Sequence, residues 1–139
     1  MSTEKKKFIV SADDVETQVF PWGRLNWLSE PRVTGTEKMA TGLVSLEVGK
    51  GHDSHNHDDC EEILYIISGT GEQTIELEEE TIKQTVKPGD LIYVPADAVH
   101  STINTGKEKL IFIAVYEKSG PEAFLRSLPD CTVQPPKNG

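Results

Sequence analysis

The chain is constrained most by two short clusters set between runs of β-forming residues. The first reads Gly49-x5-His55-x-His57-x4-Glu62-x6-Gly69, and the second supplies Gly89, Pro95, His100 and Asn104. Side chains on a β-strand alternate faces, so His55 and His57 point the same way, about 6 to 7 Å apart, a natural bite for one metal ion. Glu62 opens the apolar run Ile63-Leu64-Tyr65-Ile66-Ile67, which ends at the turn Ser68-Gly69-Thr70-Gly71 and so begins the next strand. His100 follows another strand, Leu91-Ile92-Tyr93-Val94, and a turn at Pro95-Ala96-Asp97-Ala98, and a fold-back is enough to bring its imidazole to the same point. Three histidines and one carboxylate suit a mononuclear site that leaves up to two positions open on an octahedral ion.

These blocks resemble the two signatures of the cupins. The first matches G-x5-H-x-H-x3,4-E-x6-G at every fixed position. The second matches G-x5-P-x-G-x2-H-x3-N through Gly89, Pro95, His100 and Asn104, with Asp97 where the second glycine would stand. Asp enters left-handed backbone more readily than most residues, so a turn demanding positive φ survives the exchange with some strain. The departure bears on turn geometry and not on the ligands. Carried over residue by residue, the resemblance makes His55, His57, Glu62 and His100 the metal ligands. It implies an all-β fold: a cupin-type double-stranded β-helix, or jelly-roll barrel, with a short C-terminal helix.

A bland reading competes with this one: a His-x-His on a polar loop, and Asp58, Asp59, Glu61 and Glu62 as a solvated acidic turn. Two correctly spaced clusters, each bounded by strand-like runs, are far more specific than either histidine pair alone. Spacing to Gly69 selects Glu62 over Glu61, which should face solvent. His52 lies outside the pattern and is read as a surface residue, and Cys60 as a small buried hydrophobe.

Strand-like runs recur with short turn signals between them, as in an all-β barrel. Phe8-Ile9-Val10 is a candidate first strand, and Ser11 to Glu16 a short helix or turn. Phe20 to Leu28 gathers three aromatics into an extended segment that covers a barrel face, its aromatics plugging the barrel or burying a dimer seam rather than forming a substrate wall. Met39 to Val48 reads as a strand; Thr74 to Leu77 and Thr81 to Val86 form a hairpin around Glu78-Glu79-Glu80; and Leu110 to Val115 is a further apolar strand. Pro121 opens a helix that Pro129 stops, with Phe124, Leu125 and Leu128 available to dock on the barrel. One domain over residues 8–130 accounts for the pattern, with its signature region at 49–104 and unstructured tails at 1–7 and 132–139.

A chain of 139 residues is close to the commonest domain size. Its net charge of -9 argues against a nucleic-acid partner, since phosphate contacts need clustered Lys and Arg. Cys60 and Cys131 are far apart and no apolar leader follows Met1, so a reducing cytoplasm is expected rather than a disulfide framework or secretion. No run approaches the length of about 18 apolar residues needed to cross a bilayer, so no membrane association is expected. A homodimer is expected from the aromatic segment and from Leu110 to Val115.

The donor set suits one divalent transition metal ion, Fe, Mn, Ni, Zn or Cu, and the lack of thiolates argues against a structural zinc. Such an ion serves either of two functions. One is a metalloenzyme of dioxygenase, decarboxylase or isomerase type acting on a small carboxylate, keto acid or carbohydrate. The other is a non-catalytic protein that uses the metal to bind or sense a sugar-like ligand. Tyr65, Tyr93, Trp22 and Trp27 are candidates to shape the pocket, and the residues single out no general base.

Overall fold

The computed structural model describes residues 5–51 and 59–138. After a capped 3-10 turn at Ala12–Asp14, ten strands follow: β1 (Thr17–Phe20), β2 (Gly23–Ser29), β3 (Ala40–Leu46), β4 (Glu62–Ser68), β5 (Gly71–Glu76), β6 (Thr81–Val86), β7 (Leu91–Val94), β8 (Val99–Asn104), β9 (Leu110–Tyr116) and β10 (Thr132–Gln134). Helix α1 (Pro121–Arg126) lies between β9 and β10. One sheet has the order β10-β1-β2-β3-β9-β4-β7 and the other β6-β5-β8, with antiparallel pairing throughout both. This is the all-β jelly-roll barrel expected, with its short helix near the C-terminus.

The alternation of the sequence becomes the two faces of the large sheet. On β4, Glu62, Leu64 and Ile66 are buried while Ile63, Tyr65 and Ile67 are exposed. On β9, Leu110, Phe112, Ala114 and Tyr116 turn inward. With Trp27, Leu46, Ile75 and Val86, Leu64 and Ile66 of β4 and the inward side chains of β9 belong to one core fed by both sheets. Full burial of a Leu or Ile stabilises by about 1.5 to 3 kcal/mol, so this alternation pins the register of each strand.

Three expectations are corrected. Phe8 and Ile9 form no strand and stand 88% and 92% exposed. Both edges of β1 are occupied, one by β2 and the other by β10, which leaves the run nothing there to pair with. The same pairing corrects the unstructured C-terminal tail, because Thr132, Val133 and Gln134 lie opposite Val19, Gln18 and Thr17. The β-prone Thr-Val-Gln covers backbone groups that β1 would otherwise leave unpaired, and Pro135 and Pro136 fall just beyond it. Phe124 does not dock; it is 64% exposed, whereas Leu125 and Leu128 pack on the core. Helix α1 ends at Arg126 and Ser127 caps it, so Leu128 follows a turn instead of continuing the Phe124 face.

Candidate metal site

Glu62 is the first residue of β4 and His100 the second of β8, so one arises from each sheet. Strand parity turns both inward, to 4% and 3% exposure, and Glu62 Oε1 lies 3.0 Å from His100 Nε2. Glu61, one residue earlier, faces out, and its carboxylate accepts the hydroxyl of Tyr93. The geometry therefore separates the two adjacent glutamates as spacing to Gly69 predicts.

The imidazole is oriented from behind. His100 Nδ1 lies 2.9 Å from the Ala98 carbonyl, which as an acceptor places a proton on Nδ1 and leaves Nε2 to face the barrel interior. Burial opposes a charge on this ring, but the adjacent Glu62 carboxylate overrides it and, with the Ala98 carbonyl, raises the His100 pKa above its ordinary value. The turn that carries Ala98 includes Asp97 at φ 68, the left-handed conformation foreseen for the residue at the glycine position of the second signature.

The remaining signature residues build the frame. Asn104 is buried, and its amide donates to the carbonyls of Leu46 at 3.0 Å and Glu108 at 2.8 Å while its Oδ1 accepts the Gly106 N–H at 2.9 Å. It thus ties the turn after β8 to the end of β3. Gly69 adopts φ +90, and a Cβ there would meet the Lys109 carbonyl oxygen at 2.5 Å, so a side chain is excluded both by conformation and by space. Cys60 is buried in the core, and burial raises its thiol pKa, which suits the hydrophobic role expected of it.

Leu25, Val44, Leu64, Phe112 and Leu125 line the small cavity around Glu62 and His100, with Thr102 and Tyr116 as further polar members. Two of these residues escape a reading of the motifs. Tyr116 lies directly opposite Glu62 across the β4–β9 pair and lines the same cavity. Burial, then the charge and hydrogen bond of Glu62, push its phenol pKa well above the ordinary value. The inward parity of β9 was the signal available for it. Leu125 comes from α1, and no local pattern relates that helix to the cavity. Of the four aromatics considered for the pocket, Tyr65 and Tyr93 are exposed on the outer sheet face; Trp27 is buried in the core and Trp22 packs against it.

His55 and His57, the other two expected ligands, and His52 lie outside the described residues. Among the described residues, no three His, Cys, Asp or Glu side chains converge as a metal-binding group. The two expected ligands that are described nevertheless fit a divalent ion: a buried carboxylate and an imidazole with its second nitrogen already engaged, facing each other across the barrel.

The model of the cupin domain matches residues 42–116, more than half of the chain. Glucose-6-phosphate isomerase of Thermococcus litoralis is 37% identical over 119 residues, covering 80% of this chain and 59% of the isomerase. The chain spans only 35% of the length of the glucose-6-phosphate isomerases it matches from other Thermococcus species. Among solved structures, a predicted oxalate decarboxylase from Thermotoga maritima superposes with a TM-score of 0.67 at 20% identity, covering 81% of this chain and 100% of that one. Oxalate decarboxylase of Bacillus subtilis, a protein with Mn(II) centres, superposes with a TM-score of 0.75 at 23% identity over 92% of this chain and 36% of that one. At these identities the structural likeness concerns the fold.

Proposed function

Because the chain belongs to the cupin family, we propose that it binds one divalent transition metal ion through His55, His57, Glu62 and His100 and acts as a metalloenzyme on a small oxygen-rich molecule. The observation that carries this reading is the buried meeting of Glu62 Oε1 and His100 Nε2 at 3.0 Å, two side chains of opposite sheets with no structural reason to share an apolar core. Burying an ionisable pair costs several kcal/mol per ion before their attraction is counted, so an ion pair for stability alone gains little. A function that needs both groups accounts for them.

When bound, a divalent ion supplies a Lewis acid able to polarise a carbonyl or steady a developing enolate. The chain contributes orientation and exclusion of water. The Ala98 carbonyl holds His100 in one tautomer, Tyr116 stands opposite Glu62, and the aliphatic side chains Leu25, Val44, Leu64 and Leu125 line the cavity around the ligands. Decarboxylase, isomerase and dioxygenase chemistries all begin from chelation of a small oxygen-rich molecule. The relatives that are isomerases of a sugar phosphate keep the isomerase class among the assays.

The test is elemental analysis of protein purified without chelator, alongside His57→Ala. Near-stoichiometric Fe, Mn, Ni, Cu or Zn that disappears in the variant is expected, followed by metal-dependent consumption of small carboxylates, keto acids or sugar phosphates. A His57→Ala protein that loses the metal yet keeps turnover sinks the mechanism. Metal-dependent ligand binding without turnover would establish the sugar-binding or sensing alternative in its place.

We also propose that this chain is a cytoplasmic homodimer. Among the described residues no helix is long and apolar enough to cross a membrane. Phe20, Leu25 and Trp27 fill the core and do not form a seam; the outward apolar residues are Ile63, Tyr65, Ile67, Leu91 and Tyr93 on β4 and β7. Strands β4 and β7 pair directly, placing Ile63 beside Tyr93 and Tyr65 beside Leu91 in one patch on which a second copy would sit.

A further inference from the structure

We propose that Tyr116 is a positioning residue for the candidate metal ligand Glu62, an inference that rests on the metal-site reading above. The inward side chains of β9 are Leu110, Phe112, Ala114 and Tyr116. Three are apolar, and the fourth brings a hydroxyl to 8% exposure at the level of Glu62, its direct cross-strand partner. A phenylalanine would fill that space without the cost of desolvating a hydroxyl. The extra oxygen has a use only in what it bonds, and the register sets it opposite the buried Glu62 carboxylate in one small cavity.

The phenol is itself held. Its ring packs against Trp27 with centroids 5.6 Å apart and planes tilted by 44°. The indole Nε1–H of Trp27 donates to Gln18 Oε1 at 3.1 Å, and Gln18 Nε2 donates to the Glu122 carbonyl of α1 at 3.1 Å. Gln18 and Trp27 are buried, so this line of contacts runs through the protein interior from α1 to the site. The terminal torsion of a glutamate is broad, so the carboxylate of Glu62 has more than one setting open to it. A hydroxyl fixed from behind selects one of them, as outer partners of metal ligands do.

The experiment is titration of Mn(II), with Zn(II) in parallel, into metal-stripped wild type, Tyr116→Phe, Glu62→Gln and the double variant, with affinity read by calorimetry. Tyr116→Phe is expected to bind both ions about 10- to 100-fold more weakly, the range for loss of a partner that orients a ligand. In the Glu62→Gln background the same change should shift affinity less than about twofold, because the hydroxyl acts through the carboxylate. Unchanged affinity in Tyr116→Phe overturns the role and leaves the metal site standing. An equal loss in both backgrounds also overturns it, since the ring then acts by packing alone. Wild type that takes up neither ion overturns the metal-site reading and this role with it. Should Tyr116→Phe fail to fold, the carbon-13 resonance of Tyr116 Cζ in wild type decides: a shift on adding Zn(II) supports the role, and no shift overturns it.

Discussion

The Asp97 carboxylate accepts the backbone N–H of Asp59 at 2.8 Å, joining the turn before β8 to the chain that leads into β4. Asp97 sits at φ 68 in the place where the second cupin signature has glycine. The strain of a left-handed Asp, about 1 to 2 kcal/mol, is thus set against one hydrogen bond of about 1 kcal/mol that links the segments bearing Glu62 and His100. Asp97→Gly should therefore change unfolding free energy by less than about 1 kcal/mol, whereas Asp97→Val should lower it by about 2 kcal/mol or more, because β-branched residues resist positive φ. Urea denaturation of the two variants measures the difference; equal stability would show that the backbone at 97 relaxes.

Arg126 anchors α1 over the cavity. Its Nε donates to Glu16 Oε2 at 2.7 Å and a terminal nitrogen to Glu30 Oε2 at 3.0 Å, while Arg32 reaches the same two glutamates. Burial opposes ionisation of Glu16, but the Arg126 and Arg32 guanidiniums hold its carboxyl below the usual range. Glu30 is only 2% exposed, so removing one guanidinium leaves a buried carboxylate with a single cationic partner. Arg126→Met should cost about 2 kcal/mol of stability, less than loss of a sole buried partner because Arg32 remains. A urea midpoint indistinguishable from wild type would assign the network to surface decoration.

The pH dependence of metal binding has a definite sign. Apoprotein His100 holds its proton to higher pH than a free imidazole, since its pKa is raised above 6.5. A metal ion must displace that proton, so affinity is full above the raised pKa and declines as pH falls through it, the decline beginning above 6.5. Calorimetry in buffers of different ionisation enthalpy should record proton release at neutral pH. An affinity flat from pH 7.5 to about 5 would contradict His100 as a ligand.

The apolar patch on β4 and β7 predicts a dimer at tens of micromolar, roughly, by light scattering. Tyr65→Lys combined with Leu91→Lys places two like charges as direct cross-strand neighbours on that face and should yield monomer with the fold retained. Wild type that is monomeric under those conditions removes the proposal.

The strands of the site were legible in the residues for a simple reason. A strand with one face in water and one in the core writes itself as alternation, and β3, β4, β5, β7 and β9 all fall within or close to the runs so identified. The inward setting of Glu62 against Glu61, and the left-handed turn at 97, follow from spacing and backbone sterics, both local properties. Phe8 to Val10 and residues 132–134 went the other way because neither segment has a strong pattern of its own. Which of them pairs with β1 depends on where the chain passes after α1.

The sequence by itself determined the fold class and the separation of the two adjacent glutamates, because strand parity and motif spacing act over a few residues. Only the tertiary structure decided that Glu62 and His100 meet across two sheets, that Tyr116 stands opposite Glu62, and that Leu125 of α1 lines their cavity. Those relations depend on strand order and register between segments distant along the chain. The packing of a whole core selects such pairings, and no short stretch of residues encodes them.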